Sequence, residues 1–143
     1  MTDSNIGTYG VLSLIIIFFL RVFILSEFEL NLSGFISFIS IAATSRLSML
    51  FILFYLPPAK KSGLGFNAKI KNYKSLVIAC IISFLLLALN SFLGMYILLS
   101  MCLVLLIIMY VSWKSIKGQT GDICGASQQL TETLGWFTVV YLY

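Results

Sequence analysis

Five long apolar runs alternate with short polar connections along this chain, at about residues 9–26, 34–56, 76–93, 95–113 and 123–143. The runs are continuously apolar rather than alternating, which predicts helices and argues against the strands of a membrane barrel. Each is about the length a helix needs to cross a hydrocarbon core with some tilt. The predicted fold class is therefore all-α, a polytopic transmembrane helix bundle of about five spans, with residues 1–143 forming a single transmembrane domain. The last run differs from the others: its first half, within KGQTGDICGASQQLTE at 117–132, is polar and rich in glycine.

Composition agrees with this pattern. Apolar residues make up 60% of the chain and charged residues 10%, with a mean hydropathy of +1.06, whereas soluble domains carry about 25% charged residues. The 143 residues leave little room for a soluble domain beside the spans. The first residues, MTDSNIGTYG, run into an apolar segment with no positively charged region before it, so no cleavable leader is expected. Cys80, Cys102 and Cys124 form no CxxC pair and histidine is absent, which argues against a zinc site or a disulfide framework.

Charge adds a direction. Lys60, Lys61, Lys69, Lys71 and Lys74 follow the second run, and Lys114 and Lys117 follow the fourth; the connections on the other side hold only Glu27 and Glu29. With five spans, the positive-inside rule puts the N-terminus and both lysine connections in the cytoplasm, and the C-terminus outside. Anionic membrane lipid is an expected contact of the lysines. Three glycine-bearing polar stretches, 3–10, 60–74 and 117–129, then share one face of the membrane.

That face carries the candidate chemistry. Gly118 and Gly121 are expected to turn the backbone with positive φ, and Thr120 or Asp122 to cap the helix that follows, leaving N–H groups for a phosphate. The plainer reading is a capped turn with Gly121 and Gly125 as a packing face. Helical rotation puts Asp122, Gly125, Gln129 and Glu132 on one face, turned from lipid, with Glu132 roughly 15 Å deep at 1.5 Å per residue. An ionised group at that depth needs a partner. Arg46 or Arg21 is expected to supply it, as part of a site or as glue between helices. Asp3, Ser4, Gly7 and Thr8 offer oxygen and backbone groups for Mg²⁺ or phosphate, or else form a solvated terminus. Gly63, Leu64 and Gly65 put flexible backbone beside cations.

In this order, DSNIGTYG, the Ser45-Arg46 pair, KSGLGFNAKI and GQTGDICGASQQLTE resemble the cobalamin (5'-phosphate) synthase family, adenosylcobinamide-GDP ribazoletransferase, over essentially the whole chain. The last motif is the most specific, through Gly118, Thr120, Gly121, Asp122, Gly125, Ala126, Gln128 and Gln129. The resemblance implies a multi-pass enzyme of the cytoplasmic (inner) membrane. It would join adenosylcobinamide-GDP to α-ribazole or its 5'-phosphate, release GMP and depend on Mg²⁺, with no nucleic-acid partner. It carries over Asp3, Ser4 and Gly7, then Arg46, then Gly63, Leu64 and Gly65, and the stretch from Gly118 to Gln129. Within and beside these motifs, Asp122 and Asp3 are expected to serve catalysis and metal, and Ser4, Gly7, Thr8, Arg46, Gly63, Gly65, Gly118, Gln119, Thr120, Gly121, Gln128, Gln129 and Glu132 to bind substrate. It also implies an aspartate-rich segment, D-G-x-x-D-x-x-D-G, upstream of this chain and needed for activity, so that a separate N-terminal half is an expected partner. Asn5 stands where the family usually has arginine. Two other readings remain: a non-catalytic subunit or inactive fragment of that enzyme, and a small transporter whose pathway is lined by Arg21, Arg46 and Glu132.

Overall fold

The computed structural model describes residues 8–29, 31–59 and 73–142, and folds them into five helices. These are α1 (Thr8–Ser26), α2 (Leu32–Tyr55), α3 (Tyr73–Ala88), α4 (Ser91–Ile116) and α5 (Gly121–Leu142). Helices α2 and α4 are long and apolar enough to cross a membrane; Gly10–Ser26 of α1 and the whole of α3 are apolar but shorter. The all-α expectation is met, while five full spans exceed what length and composition give.

One boundary moves. The third run was expected to continue to residue 93, but α3 ends at Ala88 and a tight turn leads into α4 at Ser91, whose φ is 52°. Asn90 sets the turn, donating to Ser40 Oγ at 2.9 Å and to Leu86 O at 3.1 Å. Ser37 adds a hydrogen bond to Asn90 Oδ1 at 2.6 Å, so α2 holds the corner between its two neighbours.

The helices run up and down. Ser48 meets Ser127 and Thr131, each at 3.3 Å, and the Cβ of a residue at Gly135 would stand 2.8 Å from Ile41, so α2 and α5 are antiparallel. Thr138 donates to Ser100 at 3.0 Å between antiparallel α4 and α5. Helix α1 runs parallel to α5: Arg21 lies beside Glu132, and Ile24 and Phe28 join the core around Trp136 and Val139.

Polarity is inverted relative to a soluble core. Ser37, Ser40, Thr44, Ser45, Ser127 and Thr131 are buried, while Phe18, Phe19, Phe84, Phe92 and Leu106 lie on the outside. Hydroxyls between helices and hydrocarbon outside are what a lipid environment favours, because small polar residues let backbones approach and lipid tails penalise unpaired polar groups. The topology gathers the start of α1, the end of α2, the start of α3, the end of α4 and the start of α5 at one end of the bundle. Lys74, Lys114 and Lys117 lie at that end, and Glu27 and Glu29 at the other.

Candidate functional site

Two peptide segments are joined at the lysine-bearing end. After α2 the backbone becomes extended at Leu56 (φ −95°, ψ 135°), as expected before Pro57-Pro58. Gln119 N donates to Pro57 O at 2.8 Å, and Ala59 N donates to Gln119 O at 2.9 Å, forming a short parallel bridge. This staple ties the entrance to the 60–72 stretch against the entrance to α5.

The loop between α4 and α5 is shaped by this contact. Lys117 caps α4 in the left-handed region, φ 51°, and donates its N–H to Trp113 O at 3.1 Å. The positive φ expected of Gly118 is thus carried by Lys117, and Gly118 lies outside that region. Glycine at 118 answers a need for space: a Cβ there would stand 2.5 Å from Pro57 O and 2.9 Å from Ala59 N. Ser112 Oγ donates to Gly118 O from one side. Gln119 is 1% exposed and uses both its backbone groups in the staple, so its place is structural rather than open to a ligand.

Helix α5 starts with a cap from its own loop. Thr120 provides the cap, its Oγ1 accepting from Ile123 N at 3.4 Å and its carbonyl from Cys124 N at 3.1 Å. Gly121 and Asp122 are exposed at the first turn, so the capping alternative resolves to Thr120 and leaves the Asp122 carboxylate outward. Among the described residues no group of three or more metal-ligating side chains comes together. One outward carboxylate at a helix start still suits Mg²⁺, which takes one or two protein carboxylates and fills its other positions with phosphate and water.

Deeper along α5 stands an ion pair. Arg21 Nη2 lies 3.0 Å from Glu132 Oε2, with the two side chains 20% and 11% exposed. Arg21 also donates through Nε to Thr133 Oγ1 at 2.9 Å and through Nη2 to Gln129 O at 3.1 Å. Its guanidinium sits 5.0 Å above the Trp136 ring, and Phe38 of α2 stacks on that ring at 5.4 Å. Of the two partners proposed for Glu132, Arg21 is the one in place. Arg46 is exposed and donates from Nη1 to Ala42 O, one turn back on its own helix, at 2.6 Å. It makes no ion pair with Glu132.

The expected α5 face is real, but only partly covered. Glu132 is buried, Gln128 and Gly125 are half-buried, and Asp122 and Gln129 are exposed. A Cβ at Gly125 would meet nothing within 4 Å, so the packing role read for Gly125 has no partner among the described residues. Thr8 is exposed at the start of α1. Asp3, Ser4, Gly7, Gly63 and Gly65 lie outside the described residues. Sequence reasoning missed Pro57 to Ala59, Ser112 and Trp136; only the Pro57-Pro58 pair carried a signal, that of extended backbone.

A cleft of about 460 Å³ between α2, α3 and α4 lies apart from these groups. Three of its hydroxyls bond to their own helices, Thr44 to Ser40 O, Ser48 to Ser45 O and Thr131 to Ser127 O. Apart from these and Ser83, the lining is largely apolar.

Comparison with known proteins identifies the family. The cobalamin-5-phosphate synthase family model matches residues 1–140. The adenosylcobinamide-GDP ribazoletransferase of Sinorhizobium medicae is 34% identical over 142 residues, covering 92% of this chain and 54% of that protein. Proteins of the same name from Clostridium botulinum and Azorhizobium caulinodans are also 34% identical, over 137 and 145 residues, with 92% of this chain and 54% and 53% of theirs covered. The chain spans about half the length of these relatives. No solved structure matches. The polar loops, the α5 motif and these similarities lead to one conclusion: the chain belongs to the cobalamin-5-phosphate synthase family.

Proposed function

We propose that the chain forms the diphosphate-holding part of a membrane-bound transferase that joins adenosylcobinamide-GDP to α-ribazole or α-ribazole 5'-phosphate and releases GMP. The observation that carries this reading is the staple between Gln119 and Pro57 to Ala59, which sets the entrance of the glycine- and lysine-bearing 60–72 stretch beside the outward start of α5. A helix start with free N–H groups and flanking cations suits a diphosphate.

In this reaction a ribazole hydroxyl attacks the cobinamide-bound phosphorus, the bond from that phosphorus to the bridging oxygen breaks, and GMP leaves with that oxygen. The hydroxyl proton passes to solvent or a base. Asp122 would hold Mg²⁺, which supplies charge neutralisation on the phosphates when bound; Asp3 is the second carboxylate in this assignment. Gly118, Thr120 and Gly121 present backbone, while Gln128, Gln129 and Glu132 form the deeper wall. The bundle spans the inner membrane several times, with the lysine-bearing end in the cytoplasm. The segregation of Lys74, Lys114 and Lys117 from Glu27 and Glu29 supports that orientation.

Because the relatives are nearly twice as long, turnover is expected only when the rest of the family domain is supplied. The reading of a subunit that depends on a second chain rests on the same fact. The test is conversion of adenosylcobinamide-GDP and α-ribazole in membranes that contain this chain together with the N-terminal half of a relative. Asp122→Asn should lower turnover about a hundredfold while the helical content is unchanged. Undiminished turnover in that variant overturns the assignment of Asp122.

A further inference from the structure

The described helices leave a polar groove open. Its floor is the face of α5 that carries Asp122, Gly125 and Gln129, two of them exposed and the glycine facing space. Helix α1 flanks one side through Arg21, and α2 flanks the other, as the sandwich of Arg21, Trp136 and Phe38 shows. From Phe38, Ala42 and Arg46 continue the same edge of α2 over the next two turns. The opposite edge of α2, at Leu47 and Phe51, lines the separate apolar cleft.

Hydrogen bonding in the groove is incomplete. Arg21 uses Nε and Nη2, and no bond is made by its Nη1 among the described residues. Among the described residues, Arg46 bonds only to the Ala42 carbonyl of its own helix. Glu132 is held by Arg21, and Arg46 has no carboxylate partner among the described residues. An exposed cation halfway along an apolar helix is costly against lipid tails, which provide no acceptor.

We propose that this groove is the seat of a further membrane helix, belonging to the half of the family domain that this chain does not span, and that this helix brings hydrogen-bond acceptors to Arg21 and Arg46. The inference rests on the family reading and adds the surface at which the missing half joins. Relatives of nearly twice this length supply the occupant. Gly125 lets a neighbouring backbone come close, as small residues do between membrane helices. A second copy of this chain fits poorly, since it would bring the same two arginines to the same groove.

A photo-crosslinking residue at Gln129, with Phe84 on the outer face of α3 as the control position, tests the idea. The probe is the tagged segment of the Sinorhizobium medicae ribazoletransferase that has no counterpart in this chain, co-expressed with the full chain in membranes. An adduct of chain plus probe should form from position 129 and not from 84. Gly125→Leu, which fills the seat, should lower its yield about tenfold, and Arg46→Leu should lower it to a lesser degree. The proposal is overturned by an adduct from 84 alone, by an adduct with a second copy or with lipid only, or by a probe that pairs with its own partner half but not with this chain. Turnover is read separately, on the chain that keeps Gln129. Adduct formation from position 129 without turnover of that chain keeps the docking surface and counts against the transferase reading, and turnover without an adduct at 129 does the reverse.

Discussion

Helix α5 has two seams of opposite construction. Against α2 it presents Ser127, Thr131 and Gly135, all buried and all small or hydroxyl-bearing, and the two helices approach closely along several turns. Against α1 it presents Glu132, Thr133 and Trp136, and one arginine gathers all three. The first seam is held by shape repeated along its length, the second by charge at one level, with Ile24 and Phe28 packed below it against Trp136 and Val139. Most of α1 beyond that level, from Val11 to Ile16, is exposed. A close-packed seam loses stability in small increments as single groups are removed, whereas a seam centred on one ion pair depends heavily on that pair.

The largest effect should therefore come from Arg21→Ala. Removing one member of a largely buried pair leaves the other uncompensated, at a cost of about 3 kcal/mol, and Thr133 Oγ1 and Gln129 O each lose a charged donor as well, Gln129 O keeping only that of Thr133 among side chains. Detergent denaturation should show the loss, and hydrogen exchange should localise it to α1 while α2 to α5 keep their protection. Arg21→Met combined with Glu132→Leu should restore most of the stability, because a paired apolar replacement leaves no buried charge. If α2 loses protection together with α1, the seams are not independent and the contrast fails.

How much of this could be read in the sequence differs by the kind of interaction. The helices were legible because apolar length is a property of each run, and the error at residues 89–93 arose where LALNSFLG hides a turn within apolar sequence. That turn is made by Asn90 bonding to a serine fifty positions earlier, a contact no local pattern reveals. Periodicity put Asp122, Gly125, Gln129 and Glu132 on one face, but it could not say what covers that face. Arg21 and Arg46 stand at similar depths, so only packing decides between them. The staple of Gln119 on Pro57 and Ala59 is carried by backbone groups, which every residue but proline offers in full.

A smaller effect is expected at Gly135, in the shape-held seam. The Cβ of Gly135→Ala would stand 2.8 Å from Ile41 Cγ2, 3.3 Å from Ile41 Cγ1 and 3.4 Å from Met101 Sδ. These are side-chain atoms, and Met101 can move, so the helices need part by only a few tenths of an ångström, at a cost of about 1–2 kcal/mol. The same denaturation assay measures it, with exchange rising in α2 and α5 together and α1 little changed. An effect as large as that of Arg21→Ala would mean that close approach, more than the ion pair, sets the stability of the bundle.

The smallest effect should come from Ser127→Ala, although Ser127 is completely buried and lies 3.3 Å from Ser48 across the seam. Its hydroxyl already donates to Cys124 O at 2.8 Å within α5, and Ser48 donates to Ser45 O at 2.6 Å within α2. Neither hydroxyl depends on the other for its donated bond, so the substitution strands no polar group and leaves the volume almost unchanged. A loss below about 1 kcal/mol is expected. Thr133→Val makes the matching change on the other seam, where the hydroxyl accepts from Arg21 Nε and its loss leaves a charged donor unmet. Thr133→Val should thus cost clearly more than Ser127→Ala in the same denaturation assay. The opposite order would mean that hydrogen bonds between helices hold the α2 seam, and that small side chains there matter for the hydroxyl they carry rather than for the approach they allow.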